Sequence, residues 1–96
     1  MGSYKLNQEA ENDIIDLYRY GILNFGLDKA NSYYDGLFER FEVLAQTPFL
    51  YRSVDHIRLG YRLSVYHQHS IYYRVHGQTV EVMGVLGMQN PTNHLV

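Results

Sequence analysis

The sequence predicts an α+β domain in which an N-terminal strand and an antiparallel helical hairpin pack on a small antiparallel sheet. Three observations lead there. Apolar residues recur at spacings of three and four through the first half, the period becomes two after His56, and Gly26, Pro48 and Gly77 punctuate the pattern where the chain must turn. A chain of 96 residues suits one core, so residues 1–96 are read as a single domain.

Tyr4 to Leu6 is the short first strand. Asn7 ends it and can cap the free amides of a following helix, while Glu9 and Glu11 complement that helix's dipole. Ala10, Ile14, Leu17, Tyr18, Gly21, Ile22 and Phe25 then form one apolar stripe. Gly26 suits the end of this helix and Asp28 the cap of the next, leaving a break of a few residues and hence antiparallel neighbours. The second stripe runs through Ala30, Tyr33, Tyr34, Leu37, Phe38, Phe41, Leu44 and Ala45, and stops at Thr47 because Pro48 disfavours a helical residue before it.

After an irregular stretch from Phe49 to His56, the segment Ile57 to Tyr66 alternates. Ile57, Leu59, Tyr61, Leu63 and Val65 are expected on one face, and Arg58, Gly60, Arg62, Ser64 and Tyr66 on the other. Ser70 to Val75 and Thr79 to Leu86 are two more strands, joined by a tight hairpin through His76, Gly77 and Gln78. Gly84 inside the last strand signals a bulge or a close backbone approach.

Composition narrows the chemistry. Without cysteine there is no disulfide, thiolate nucleophile or sulfur-ligated zinc, as in a reducing cytoplasm. No charged segment followed by an apolar stretch opens the chain, and no apolar run nears the roughly 18 residues of a membrane span. A cytoplasmic protein is expected. Ten tyrosines and no tryptophan suit half-buried strand faces and recognition surfaces, because the ring packs while the hydroxyl stays wet. The net charge of -2 is unevenly spread. Residues 1–49 carry eight acids against four bases, whereas the remainder carries Arg52, Arg58, Arg62 and Arg74 against Asp55 and Glu81, with all five histidines. A surface for an acidic target should therefore lie in the second half.

The segment IRLGYRLSVYHQHSIYYRV, Ile57 to Val75, followed by VEVMGVL, Val80 to Leu86, resembles the signature of the ParE branch of the ParE/RelE toxin superfamily. That signature is an I-R-x-G-x-R strand, then H-x-I-x-Y-R, then a valine-rich strand. Upstream, Tyr4-Lys5-Leu6, Ala10, Asp13-Ile14, Gly26, Ala30 and Leu44-Ala45 before Pro48 agree with it in order and spacing. The resemblance implies the toxin of a type II toxin–antitoxin pair, neutralised by a ParD-like antitoxin and able to poison DNA gyrase by binding it. Other members of the superfamily resemble RelE and cut messenger RNA on the ribosome. A ribosome-dependent endoribonuclease is thus the alternative function, and a detoxified copy that still binds its antitoxin is a third. Relatives often carry a basic residue and a histidine around the last strand, where this chain has Gly84, Gly87 and Met88-Gln89-Asn90-Pro91.

An RNA-cutting site needs cations against the developing phosphorane charge, a group that activates the 2′-hydroxyl, and a surface that attracts RNA. Arg58, Arg62 and Arg74 supply cations, but the sequence pI near 6.2 is far from that of a nucleic-acid binder. No catalytic residue, cofactor or metal is expected. His67 and His69 are spaced for two ligands but lack a third, and a hydrogen-bonded or turn role is the plainer reading, with His69 setting strand geometry. Each arginine, taken singly, reads as solvated or paired with Glu81 or Asp55. Together Arg58, Arg62 and Arg74, on one face with Tyr66 and Tyr72, are nominated as a partner-binding surface. The last strand and tail, Val82 to Asn90 and in particular Val85, Leu86, Met88 and Gln89, are its second part, because a terminal strand offers backbone groups to a protein target.

Overall fold

The computed structural model describes residues 2–87. Its elements follow in the order β1 (Ser3–Leu6), α1 (Gln8–Phe25), α2 (Leu27–Gln46), β2 (Arg62–Tyr66), β3 (His69–His76) and β4 (Thr79–Leu86). They form two antiparallel helices packed on a four-stranded mixed sheet of order β1-β4-β3-β2. The meander β2-β3-β4 is antiparallel, and β1 joins β4 in parallel, with Tyr4 opposite Val80 and Leu6 opposite Val82.

The helix ends follow from local chemistry. Asn7 Oδ1 accepts the Ala10 amide at 2.9 Å, and Glu9 and Glu11 occupy the first turn of α1. Gly26 closes α1 and opens α2 at once, so Asp28 lies inside the first turn of α2 and does not cap it. Thr47 caps α2 immediately before Pro48.

Two cores lie on opposite faces of the sheet. Ala10, Ile14, Leu37, Phe41 and Leu44 from the helices pack on Ile71, Tyr73, Val80, Val82 and Val85. The stripe of α1 is buried only at Ala10 and Ile14, so the helical hairpin overhangs the sheet and leaves Tyr20, Leu23, Phe25 and Leu27 exposed at its tip. On the other face Leu63, Tyr72 and Leu86 are covered by Val54 and Tyr61. The chain between α2 and β2 therefore serves as the lid of a second, smaller core.

That lid corrects the expectation of a strand from Ile57. The strand begins at Arg62, and 57–60 form turns and a bend. Gly60 sits at φ 85° and its amide donates to Asp55 Oδ1 at 2.8 Å, which closes a loop between the bridged residues Ser53 and Arg62. Tyr61 and Leu63 share a buried face as expected, whereas Leu59 is 86% exposed and Val65 is exposed at the sheet edge. Gly84 behaves as its place in a strand predicted. Tyr72 pairs with Gly84 and Tyr73 with Val82, so Met83 is the extra residue of a bulge. Beyond it the Val85 amide turns to Asp13 Oδ2 of α1 at 3.0 Å.

Candidate functional site

The register decides where each nominated side chain points. Arg62 is opposite Tyr73, and Tyr73 faces the helices. Arg74, the next residue along β3, therefore projects from the other face. Arg62 donates through Nη1 to the Tyr51 carbonyl at 2.8 Å and lies 4.9 Å from the Phe49 ring centre. Arg74 Nε contacts Glu81 Oε1 at 2.8 Å, and His76 Nε2 is 3.4 Å from the same oxygen. The hydrogen bond from Arg74 holds the Glu81 carboxyl below its usual range. Arg58 is on the lid, with its guanidinium over the Tyr61 ring. The three arginines thus occupy three places, and the shared row expected from alternation does not form.

The other nominated residues also separate. Tyr66 faces the helices, where a methyl on Gly36 would overlap its hydroxyl. Tyr72, Val85 and Leu86 are buried, Val85 in the helix-side core and Tyr72 and Leu86 in the smaller one. Tyr72 accordingly does not join Tyr66 in an exposed patch. Met88 and Gln89 lie outside the described residues.

What the fold does assemble is a polar and aromatic cluster where the β2–β3 turn meets α2. The Tyr33 ring is edge-on to Tyr66 at 5.0 Å and packs against His67 and His69 at 5.6 and 5.4 Å. Its hydroxyl is 2.6 Å from His69 Nδ1 and 3.2 Å from the Tyr66 carbonyl oxygen. The hydroxyl has one proton, which the Tyr66 carbonyl can accept, and its role toward His69 Nδ1 follows from the imidazole tautomer. Burial pushes the Tyr33 hydroxyl up to about 12 and lowers the His69 pKa, so the pair is neutral around pH 7. His69 is hydrogen-bonded, with Tyr33 as its partner.

Two side chains that build this region escaped the sequence reading. Tyr33 was expected as plain core because it falls on the apolar stripe of α2, and a hydroxyl's partner 36 residues away leaves no local signal. Arg40 reads as an ordinary helix-surface cation. Its Nη1 donates to the fully buried Ser64 hydroxyl at 2.9 Å and to the Val65 carbonyl at 2.8 Å, and its guanidinium stands over Tyr51 and Tyr66. This satisfies a carbonyl at the sheet edge and pins β2 to α2.

The family described as "ParE toxin of type II toxin-antitoxin system, parDE" matches residues 4–90. The chain belongs to this ParE toxin family. It is similar to Toxin ParE1 of Caulobacter vibrioides, 31% identical over 86 residues covering 90% of this chain and 88% of that one. Toxin ParE1 of Mycobacterium tuberculosis is 31% identical over 84 residues, 86% of each chain. The fold agrees with a structure described as the chromosomal ParDE TA system from P. aeruginosa. That likeness has a TM-score of 0.80 at 20% identity, covering 93% of this chain and 98% of the other.

The ParE fold also creates concavities beside the helical hairpin. One, of about 420 Å³, lies between the helical hairpin and the β2–β3 turn, with Tyr33, His67 and His69 on its wall. Another, a more open groove of about 600 Å³, runs between α1 and α2 over Ile14, Ile15, Tyr18, Tyr34 and Phe38, with Glu11 and Asp35 beside it. Among the described residues no three His, Cys, Asp or Glu side chains are grouped to hold a metal ion. No described helix is long and apolar enough to cross a membrane.

Proposed function

We propose that this ParE-family chain acts in the cytoplasm by protein binding, with DNA gyrase as its target and a ParD-like antitoxin as the protein that neutralises it. The family match across residues 4–90 is the observation that carries the reading. The placement of the arginines supports binding over RNA cleavage. Arg62 is committed to the Tyr51 carbonyl and Arg74 to Glu81, on opposite faces, so they do not converge on one phosphate. The groove between α1 and α2 supports the antitoxin assignment, because an apolar trough is the shape into which an amphipathic partner helix lays its apolar face.

Within this reading Arg58, Arg62, Arg74 and Tyr66 contribute contact area, and the segment from Val82 to Asn90, with Met88 and Gln89, is the part most important to gyrase inhibition. The test is a supercoiling assay with purified gyrase, run on the full chain and on a chain ending at Leu86. Inhibition by the full chain, relieved by co-expressed antitoxin and lost in the truncation, supports the proposal. Inhibition by the truncation as strong as by the full chain overturns the role of the tail. Cleavage of ribosome-bound messenger RNA without gyrase inhibition overturns the target in favour of the RelE-type activity. Antitoxin binding with neither effect identifies a detoxified copy.

A further inference from the structure

The cavity beneath the helical tip meets the α1–α2 groove at Tyr18 and is otherwise separate from the binding surfaces assigned above. We propose that it is a binding site for a small aromatic monocarboxylate. Its volume, about 420 Å³, lies within the range of roughly 300–1,000 Å³ usual for small-molecule sites, which combine apolar walls with a few converging polar groups. Tyr18, Phe25 and Tyr33 supply aromatic walls, and Gly21 and Ala30 are the small residues between them. A flat ring suits such walls because offset and edge-on contacts add to the area buried.

The polar groups set the charge. Lys29, from the first turn of α2, lines the cavity and has no ion-pair partner among the described residues. One ammonium compensates one negative charge, so a carboxylate is matched where a phosphate dianion is left half-compensated. His69 lines the same space, and with the Tyr33 hydroxyl on its Nδ1, Nε2 is the ring nitrogen left to meet the second carboxylate oxygen.

A backbone observation points to the same wall. His67 is the first of two loop residues joining β2 to β3 and sits at φ 53°, the one described non-glycine residue at positive φ. Glycine is the usual occupant of such a position, and other residues persist there when surrounding contacts hold them. Here the imidazole is held against Tyr33 and Tyr66 and lines the cavity, where it gives the ring of the ligand a further stacking surface.

The test is a titration of the ¹⁵N-labelled full chain with three probes: phenylacetate, the uncharged isostere phenylacetamide, and acetate, which lacks the ring. Phenylacetate is expected to give saturable amide shifts confined to Gly21, Ala30, Tyr33 and 67–69, and to bind about tenfold more tightly than phenylacetamide, the scale of one charge-assisted hydrogen bond. Lys29→Gln, an exposed change that leaves the core untouched, should erase the preference for phenylacetate. Tyr33→Phe should weaken phenylacetate binding by freeing the His69 ring, with the remaining shifts still at the same residues. Acetate should give no saturable shift. The proposal is overturned if phenylacetate produces no saturation by about 10 mM, the level of a negligible affinity. It is equally overturned if phenylacetamide binds as well, if Lys29→Gln leaves the preference intact, or if the shifts map elsewhere.

Discussion

The two hairpins of the sheet share a loop length and a backbone shape, yet they use opposite residues to make it. Between β3 and β4 the loop is Gly77-Gln78, and Gly77 takes φ 58°; between β2 and β3 it is His67-Gln68, and His67 takes φ 53°. At Gly77 a side chain would meet nothing within 4 Å, so glycine is there for its conformation alone. At His67 the ring packs against Tyr66 at 4.5 Å and Tyr33 at 5.6 Å. The first turn is determined locally and the second by what α2 brings to it. A left-handed conformation costs an ordinary residue about 1–2 kcal/mol, and only tertiary contacts of similar size can hold a histidine in it.

The largest break in this comparison is expected from removing the tertiary anchor. Tyr33→Ala strips the β2–β3 turn of its ring contacts and of the hydroxyl bonded to His69, and should cost about 3 kcal/mol, the lower end for deleting an aromatic side chain, since Tyr33 is only partly buried. Urea denaturation measures it, and a loss below about 1 kcal/mol would show that the turn holds itself. Next in size is Gly77→Val, expected to cost about 1–2 kcal/mol through backbone conformation alone. Its counterpart His67→Gly should change stability by less than about 1 kcal/mol, because relief of the left-handed strain offsets the lost ring contacts. If Gly77→Val costs no more than His67→Gly, and Tyr33→Ala leaves the β2–β3 turn unchanged, the contrast between the hairpins fails.

Acid sharpens the same contrast. The His69 pKa is lowered by burial in the folded chain, so the unfolded chain takes up the proton first as pH falls below the ordinary histidine value of about 6.5. Stability is full above that pH and declines as pH drops toward the folded value. Glu81 is also lowered, first by its hydrogen bond from Arg74, so its contribution is present above the ordinary carboxyl value and is lost only as pH falls below about 4.5. Amide exchange near pH 6 should therefore show the β2–β3 turn weakening before the β3–β4 turn, and His69→Asn should remove the earlier phase. The smallest effect is expected from Glu81→Gln. Arg74 is 42% exposed and Glu81 13%, so solvent screens the pair and the loss should be about 0.5–1 kcal/mol in a thermal melt. A loss well above that would mean that the β3–β4 hairpin also depends on a side-chain anchor.

How far the site could be foreseen differs residue by residue. The Arg74–Glu81 contact was legible as one of the pairings expected for these arginines, and the two-residue loop of the structure, shorter than the His76–Gln78 hairpin expected, brings the two residues opposite one another. The common face proposed for Arg58, Arg62 and Arg74 was not. Alternation is a rule within one continuous strand, and the Gly60 turn removes Arg58 from β2 while the register puts Arg62 and Arg74 back to back. Tyr72, Val85 and Leu86 looked available because a strand sequence shows alternation and not which faces are covered. The lid carrying Val54 and Tyr61, which buries Tyr72 and Leu86, joins an irregular stretch to residues whose alternation read as a strand, so no local pattern marked it as a cover.

By itself the sequence determined the order and type of the elements, the Asn7 cap, the stop before Pro48, the bulge near Gly84, the glycine at the β3–β4 turn and the resemblance to ParE toxins. These rest on period, propensity and spacing, which act over a few residues. Only the tertiary structure decided that β1 pairs in parallel with β4, that the helical tip overhangs the sheet, that a second core forms under the lid, and that Tyr33 and Arg40 reach back to hold β2 and its turn. Those features depend on contacts between residues far apart in the chain. A hydroxyl on an apolar stripe or a cation on a helix surface carries no local mark of the distant partner it will meet.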